Sequence, residues 1–125
     1  MHELSIAQAV LAIAERHAAG RRVRRVELRV GHLRQVVPTA LAFAFELLTD
    51  GTALEGAELV IEDVPARGRC RACGVETAMR GFPLQCATCG GFDVELVSGE
   101  ELLVDALELD DERELTTEGM AHGSR

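Results

Sequence analysis

All four cysteines of the chain fall within twenty residues, CRACGVETAMRGFPLQCATC, from Cys70 to Cys89. They form two Cys-x-x-Cys pairs with twelve residues between Cys73 and Cys86. Four thiolates on two knuckles match the tetrahedral coordination of Zn2+, at about 2.3 Å per Zn–S bond. Glycine follows each pair closely, Gly74 after Cys73 and Gly90 and Gly91 after Cys89. It lets the backbone turn sharply, so that N–H groups face the sulfurs. A disulfide framework is the poorer reading, because the chain shows no secretion signal and cytosolic thiols stay reduced. A thioredoxin-type redox pair needs one Cys-x-x-Cys at a helix N-terminus, whereas here two pairs sit among glycines and strand-like residues. An iron–sulfur cluster also takes four cysteines, at spacings less like this one. The expectation is therefore a zinc ribbon. A closed four-cysteine site leaves no coordination position open, so the metal is structural rather than catalytic.

The chain carrying this ribbon is short. Its 125 residues make one domain, or one small domain with an insert, and a metal helps hold a satellite unit of that size together. Aromatic residues are 3% of the chain, with four Phe and no Trp or Tyr, so the core is expected from Leu, Val, Ile and Ala. No apolar run reaches the roughly 18 residues of a membrane span. Glu3 stands where a signal peptide would carry positive charge. These features predict a cytoplasmic protein without a membrane segment. The net charge is −8, concentrated in residues 100–125, which hold nine acids and two Arg. Arg67, Arg69, Arg71 and Arg80 put some positive charge near the cysteines. Zn2+ with four thiolates adds two negative charges, and only Phe82 and Phe92 are on hand for stacking, which argues against nucleic-acid binding.

Leu4, Ala7, Leu11, Ala14 and Ala18 recur at helical spacing, with Ser5 and Gln8 placed as a capping box and Gly20 as a stop. This predicts a helix over about 5–19, preceded by a short N-terminal tail. Residues 23–30, VRRVELRV, alternate as a strand with one buried face. Pro38 opens a second helical stretch through Thr49, with Leu41, Phe45 and Leu48 on one face. Residues 57–64 read as a strand, and 94–97 and 101–109 look extended, the last expected to rejoin the sheet. The predicted fold is α+β: two helices packed on a small sheet of about three strands, with an inserted four-cysteine zinc ribbon. Residues 1–66 and 98–109 would form the α/β domain and 67–97 the ribbon domain. Residues 110–125 are polar and acidic without a core pattern, which predicts a disordered tail.

A second candidate site lies at the very start. His2 adjoins the α-amine, and an imidazole, an amine and ionisable backbone amides can wrap one metal in small chelate rings. Such a planar, nitrogen-rich set suits Ni(II) or Cu(II), and Glu3 could add an oxygen ligand or bond to the imidazole. The competing reading is a plain exposed terminal histidine. His17 reads as a surface residue of the first helix, His32 as a loop residue and His122 as part of the tail. No Ser-His-Asp set, phosphate-cradling glycine loop or catalytic carboxylate pair is present, so the chain is not read as an enzyme.

The opening MHELSIAQA, the later FAFELLTDGTALEGAELVIE and the CRAC…CATC ribbon resemble the HypA/HybF family of hydrogenase nickel-incorporation proteins, in order and spacing over about residues 1–109. The resemblance implies a nickel metallochaperone with a structural zinc. Carried over by position, Met1 (through its backbone), His2 and Glu3 become the nickel-site residues. Cys70, Cys73, Cys86 and Cys89 become the zinc ligands. It further implies work with a GTPase partner, HypB, delivery of nickel toward the large-subunit precursor of [NiFe]-hydrogenase, and in some members service to urease. Some relatives bring an acidic side chain from the loop before the second helix toward nickel; here that stretch is Gln35-Val36-Val37-Pro38, with no carboxylate. The oligomeric state, monomer or homodimer, stays open. So does the alternative of a zinc-ribbon adaptor or nucleic-acid-binding protein in which His2 does nothing. On the charge, stacking and apolar-run arguments above, no nucleic acid and no membrane are expected among the partners.

Overall fold

The first helix starts earlier than its capping pattern suggests. A computed structural model describes residues 2–120, and in it helix α1 runs His2–Ala18. Residues 2 and 3 are thus its first turn rather than a tail before a cap at Ser5. Glu3 explains the difference, because a carboxylate is favoured at the positive end of a helix. It also accepts a hydrogen bond from Val37 N–H at 2.9 Å, which ties the first turn down. The buried stripe is Ile6, Ala7, Val10, Ile13, Ala14 and Ala18, rotated from the predicted one so that Leu4 is exposed. Ala19 and Gly20 take left-handed backbone conformations and end the helix.

The chain divides into two compact units. Among the described residues the first comprises 2–29, 36–62 and 102–120. Its helix α2, Pro38–Thr49, opens with Pro38 just after the N-cap Val37, where a missing N–H costs nothing. It buries Leu41, Phe45 and Thr49. The Thr49 hydroxyl donates to Phe45 O at 2.8 Å, so this buried polar group is satisfied. Helix α1 packs on α2 and on strand β6 (Leu102–Leu109). The sheet has four strands in the order β2-β1-β6-β7, with β1 at Val23–Gly31, β2 at Glu58–Val64 and β7 at Arg113–Gly119. On β1, Val26, Leu28 and Val30 are buried in alternation as predicted, and β6 does rejoin the sheet beside β1.

The tail expectation is overturned for residues 113–119, which form β7 antiparallel to β6 in the register Ala106↔Leu115, Leu107↔Glu114 and Glu108↔Arg113. No apolar alternation marks this strand because backbone bonds and ion pairs hold it. Leu115 is exposed, and only Met120, just past its end, is buried. The remaining tail residues, 121–125, lie outside the described residues.

The second unit comprises 30–35 and 63–101. It contains a three-stranded sheet in the order β4-β3-β5, with β3 at Arg67–Cys70, β4 at Glu76–Ala78 and β5 at Val94–Ser98. Strand β3 pairs antiparallel with both neighbours, Gly68 facing Thr77 and Leu96. A Cβ at Gly68 would lie 2.5 Å from Val94 Cγ1 and 3.2 Å from Met79, so the central strand needs glycine there. The unit also holds the end of β1, where Gly31 N–H donates to Glu101 O at 2.7 Å. A 3-10 turn, His32–Arg34, follows, and its Leu33 N–H donates to Gly99 O at 2.9 Å.

At this crossing two backbones touch. A Cβ on Gly31 would collide with the Gly99 carbonyl, and one on Gly99, whose φ is +117°, would lie 2.6 Å from Ala66 Cα. Backbone cannot step aside as a flexible side chain can. We therefore expect Gly31→Ala to destabilise the unit by about 3 kcal/mol. Gly81→Ala, where the added carbon meets nothing within 4 Å, should stay within about 0.5 kcal/mol of wild type. Paired chemical denaturation curves check both, and equal midpoints would refute the crossing.

Candidate metal centres

Each Cys-x-x-Cys closes the same backbone knuckle. Cys73 N–H points at Cys70 Sγ (3.5 Å) and Cys89 N–H at Cys86 Sγ (3.4 Å). Gly74 N–H returns to Cys70 O at 2.8 Å and Gly90 N–H to Cys86 O at 3.0 Å. Cys70 N–H reaches Val75 O at 3.0 Å and Cys86 N–H reaches Gly91 O at 2.8 Å. Gly74 and Gly90 have φ of +80° and +77°, the left-handed turn that glycine makes without strain. The two halves bring the sulfurs together, with Cys70 Sγ 3.6 Å from Cys89 Sγ and Cys73 Sγ 3.6 Å from Cys86 Sγ. All four lie within 4.8 Å of one another. A tetrahedral ZnS4 centre with 2.3 Å bonds has S···S edges of about 3.8 Å, so the donor set fits Zn2+. The first cysteine of each pair is buried and the second exposed.

The thiols are unequal. Two N–H groups, of Cys89 and then Thr88, draw the Cys86 thiol down to about 6. The Cys73 and Ala72 N–H groups likewise lower Cys70. At Cys73 the Val75 N–H pulls the other way, but burial and the facing sulfurs outweigh it and push the thiol up to about 11. Cys89 is also raised, its facing sulfurs outweighing the Gly91 N–H. Without metal, then, Cys73 and Cys89 hold their protons at neutral pH, because four thiolates cannot share so small a space. A divalent cation removes that repulsion and displaces those protons.

The N-terminal candidates also come together. His2 is on the exposed first turn of α1, its Nε2 3.7 Å from Glu3 Oε2. Glu3 is better covered, with 14% of its side chain exposed. The Val37 N–H bond, and after burial is offset the nearby positive charges, hold its carboxyl below the usual range. Met1, the third expected nickel residue, lies outside the described residues. The loop before α2, Gln35-Val36-Val37-Pro38, carries no carboxylate. That loop instead supplies a backbone donor, Val37 N–H, which orients Glu3; no side-chain pattern could have revealed it.

A family model for hydrogenase/urease nickel incorporation metallochaperones, HypA, matches residues 1–109. The chain belongs to the HypA family. It is 52% identical over 110 residues to the hydrogenase maturation factor HypA of Geobacter metallireducens, a match covering 88% of this chain and 100% of that one. It is 41% identical over 111 residues to that of Nostoc punctiforme, covering 89% and 97%. The solution structure of the nickel metallochaperone HypA from Helicobacter pylori shares the fold, with a TM-score of 0.58 at 23% identity, over 94% of this chain and 100% of that one. As a HypA member the chain is a non-enzymatic nickel metallochaperone of hydrogenase and urease maturation with a four-cysteine zinc-type site. Among the described residues no helix is long and apolar enough to cross a membrane.

The nucleic-acid alternative loses its main support in this HypA ribbon. Arg67 and Arg69 both pair with Glu76, at 2.9 and 3.2 Å, and Arg71 pairs with Asp93 at 2.8 Å. Three of the four arginines named for the ribbon are thus engaged with carboxylates of the unit itself, which weakens the case for a basic stripe.

Proposed function

We propose that the chain carries Ni(II) at its amino end, on His2, Glu3 and the backbone of Met1, while Cys70, Cys73, Cys86 and Cys89 hold Zn2+ as a fixed structural ion. The observation behind this reading is the convergence of His2 and Glu3 on the first turn of α1, with Glu3 fastened by Val37. The first four N–H groups of a helix have no intrahelical acceptor. The helix ladder therefore makes no claim on the amide nitrogens of residues 2 and 3, and the Glu3 N–H turns to its own carboxylate, a bond that a metal would have to displace. The helix end itself repels a cation, which limits nickel affinity and favours release. Glu3, held ionised, offsets part of that repulsion. An exposed imidazole and main-chain nitrogens can be exchanged one at a time for the ligands of a recipient.

In this reading the recipient is a hydrogenase large-subunit precursor, with urease as a second client, and a HypB-type GTPase is the working partner. The setting is the cytoplasm. Native mass spectrometry of untagged protein tests the metal assignment. One zinc should be present as purified, and one further metal should appear only on addition of nickel. A chain that takes up no nickel, or that takes it up by displacing the zinc, would overturn the reading.

A further inference from the structure

The family match ends at residue 109, the last residue of β6, and the Geobacter metallireducens relative is matched over its whole length by 110 residues. Strand β7 therefore lies beyond the residues that the family model and this relative match, and it covers the outer edge of β6. A sheet edge is a row of unpaired N–H and C=O groups ready to accept another strand. We infer that residues 113–119 are a releasable cis-strand: they occupy the β6 edge as an acceptor site for an extended acidic segment, and they must leave before such a segment of another molecule can pair there.

The way β7 is held supports release. Its residues alternate between exposed and half-covered, and its one large apolar side chain, Leu115, is 68% exposed. The polar fastenings are many. Arg16 clasps Glu118 through two bonds of 3.0 and 2.6 Å, and His17 Nε2 lies 2.8 Å from the same carboxylate. Arg21 reaches Glu112 and Glu114 at 3.1 and 3.2 Å. Arg113 pairs with Glu27 at 2.7 Å and Arg24 with Asp110 at 2.6 Å. Thr116 Oγ1 donates to Val104 O at 2.6 Å. Ion pairs this exposed are individually weak and are screened by salt. Few apolar contacts and exposed backbone bonds mark a segment that opens before the rest of a fold.

The same contacts define what the edge recognises. The occupant runs antiparallel to β6. It carries a basic residue where Arg113 meets Glu27, and acids one and five places on, where Glu114 and Glu118 meet Arg21, Arg16 and His17 at the end of α1. Leu109 N–H donates to Glu112 O at 2.8 Å, closing a two-residue turn. The tether keeps β7 at high effective concentration, so an untethered competitor of equal fit is excluded.

The test uses the full chain and a fluorescent peptide of residues 110–120. The 109/112 pair is hydrogen-bonded, so alternation makes 107/114 the next bonded pair. Glu114→Pro then removes a ladder donor and an ion pair together. We expect the peptide to bind Glu114→Pro at least tenfold more tightly than wild type, and to weaken several-fold when salt rises from about 50 to 500 mM. A peptide with both Glu114 and Glu118 changed to Lys should fail to bind. In wild type, amides 113–119 should exchange with solvent far faster than those of β1. Glu118→Lys in the chain, which leaves the backbone and Arg16, His17 and Arg21 in place, should also admit the peptide and guards against misfolding of the proline variant. Self-association of either variant that excess peptide reverses would likewise support an acceptor edge. Exchange at 113–119 as slow as in β1, or equal peptide affinity for wild type and both variants, would overturn the inference.

Discussion

Cys86→Ser is expected to abolish stoichiometric zinc binding and to unfold residues 65–101, while the helices and the four-stranded sheet stay folded. The second unit has little else to hold it. Its buried apolar side chains are few, among them Val64, Ala66 and Met79, and two of the others are Cys70 and Cys86 themselves. Structural zinc in units of this size contributes about 10–16 kcal/mol of apparent binding energy at neutral pH, more than such a core supplies. Cys86 is the severe choice because it is buried and its thiol is the one drawn down to about 6; a serine hydroxyl there neither ionises nor ligates comparably. Cys89→Ser, at an exposed corner, should lower zinc affinity with less loss of structure. Amide spectra resolve the two units: signals from 65–101 should collapse in Cys86→Ser while those of α1 and β1 keep their positions. A Cys86→Ser protein that retains one zinc and an ordered ribbon would show that the thiolate set does not hold the unit together.

Which parts of this fold could be read in advance depends on what stabilises them. Strand β1 was legible because Val26, Leu28 and Val30 are buried in simple alternation. The cysteine cluster was legible because a four-thiolate site demands a fixed spacing, and the matching knuckles at Cys70 and Cys86 carry it out. Strand β7 was not legible. Its sequence, RELTTEG, has almost no apolar content, and its partners Arg16, Arg21 and Glu27 are far away along the chain. The start of α1 is hidden for a related reason. Ser5 and Gln8 form a plausible local cap, but a long-range bond from Val37 to Glu3 decides the matter. Tight backbone crossings such as Gly31 over Gly99 also leave no trace beyond the glycines themselves. Local patterns therefore gave the elements, while polar contacts between distant segments gave the ends of the helix and the last strand.

His2→Ala is expected to lower nickel affinity at least 100-fold, about 2.7 kcal/mol, with zinc content and fold unchanged. The imidazole is the only side-chain nitrogen at the first turn of α1, and it is exposed enough for removal to leave no cavity, with 56% of the side chain accessible. Placing two residues, Gly-Ser, before Met1 should do as much damage without touching any side chain, because it converts the α-amine into a peptide nitrogen and moves it out of the chelate. The pair separates the terminal chelate from a plain histidine site: an ordinary surface histidine would survive the extension. Glu3→Gln adds a third readout. It keeps an oxygen for Val37 N–H but loses the charge that offsets the helix end, so nickel should weaken by roughly tenfold while α1 remains helical. Calorimetric titration of nickel into the three variants, with zinc counted in the same samples, gives the order extension and His2→Ala worst, Glu3→Gln intermediate. An extended chain that binds nickel as tightly as the native one would move the cargo site away from the amino end, and the geometry of Glu3 and Val37 would then be a helix cap and nothing more.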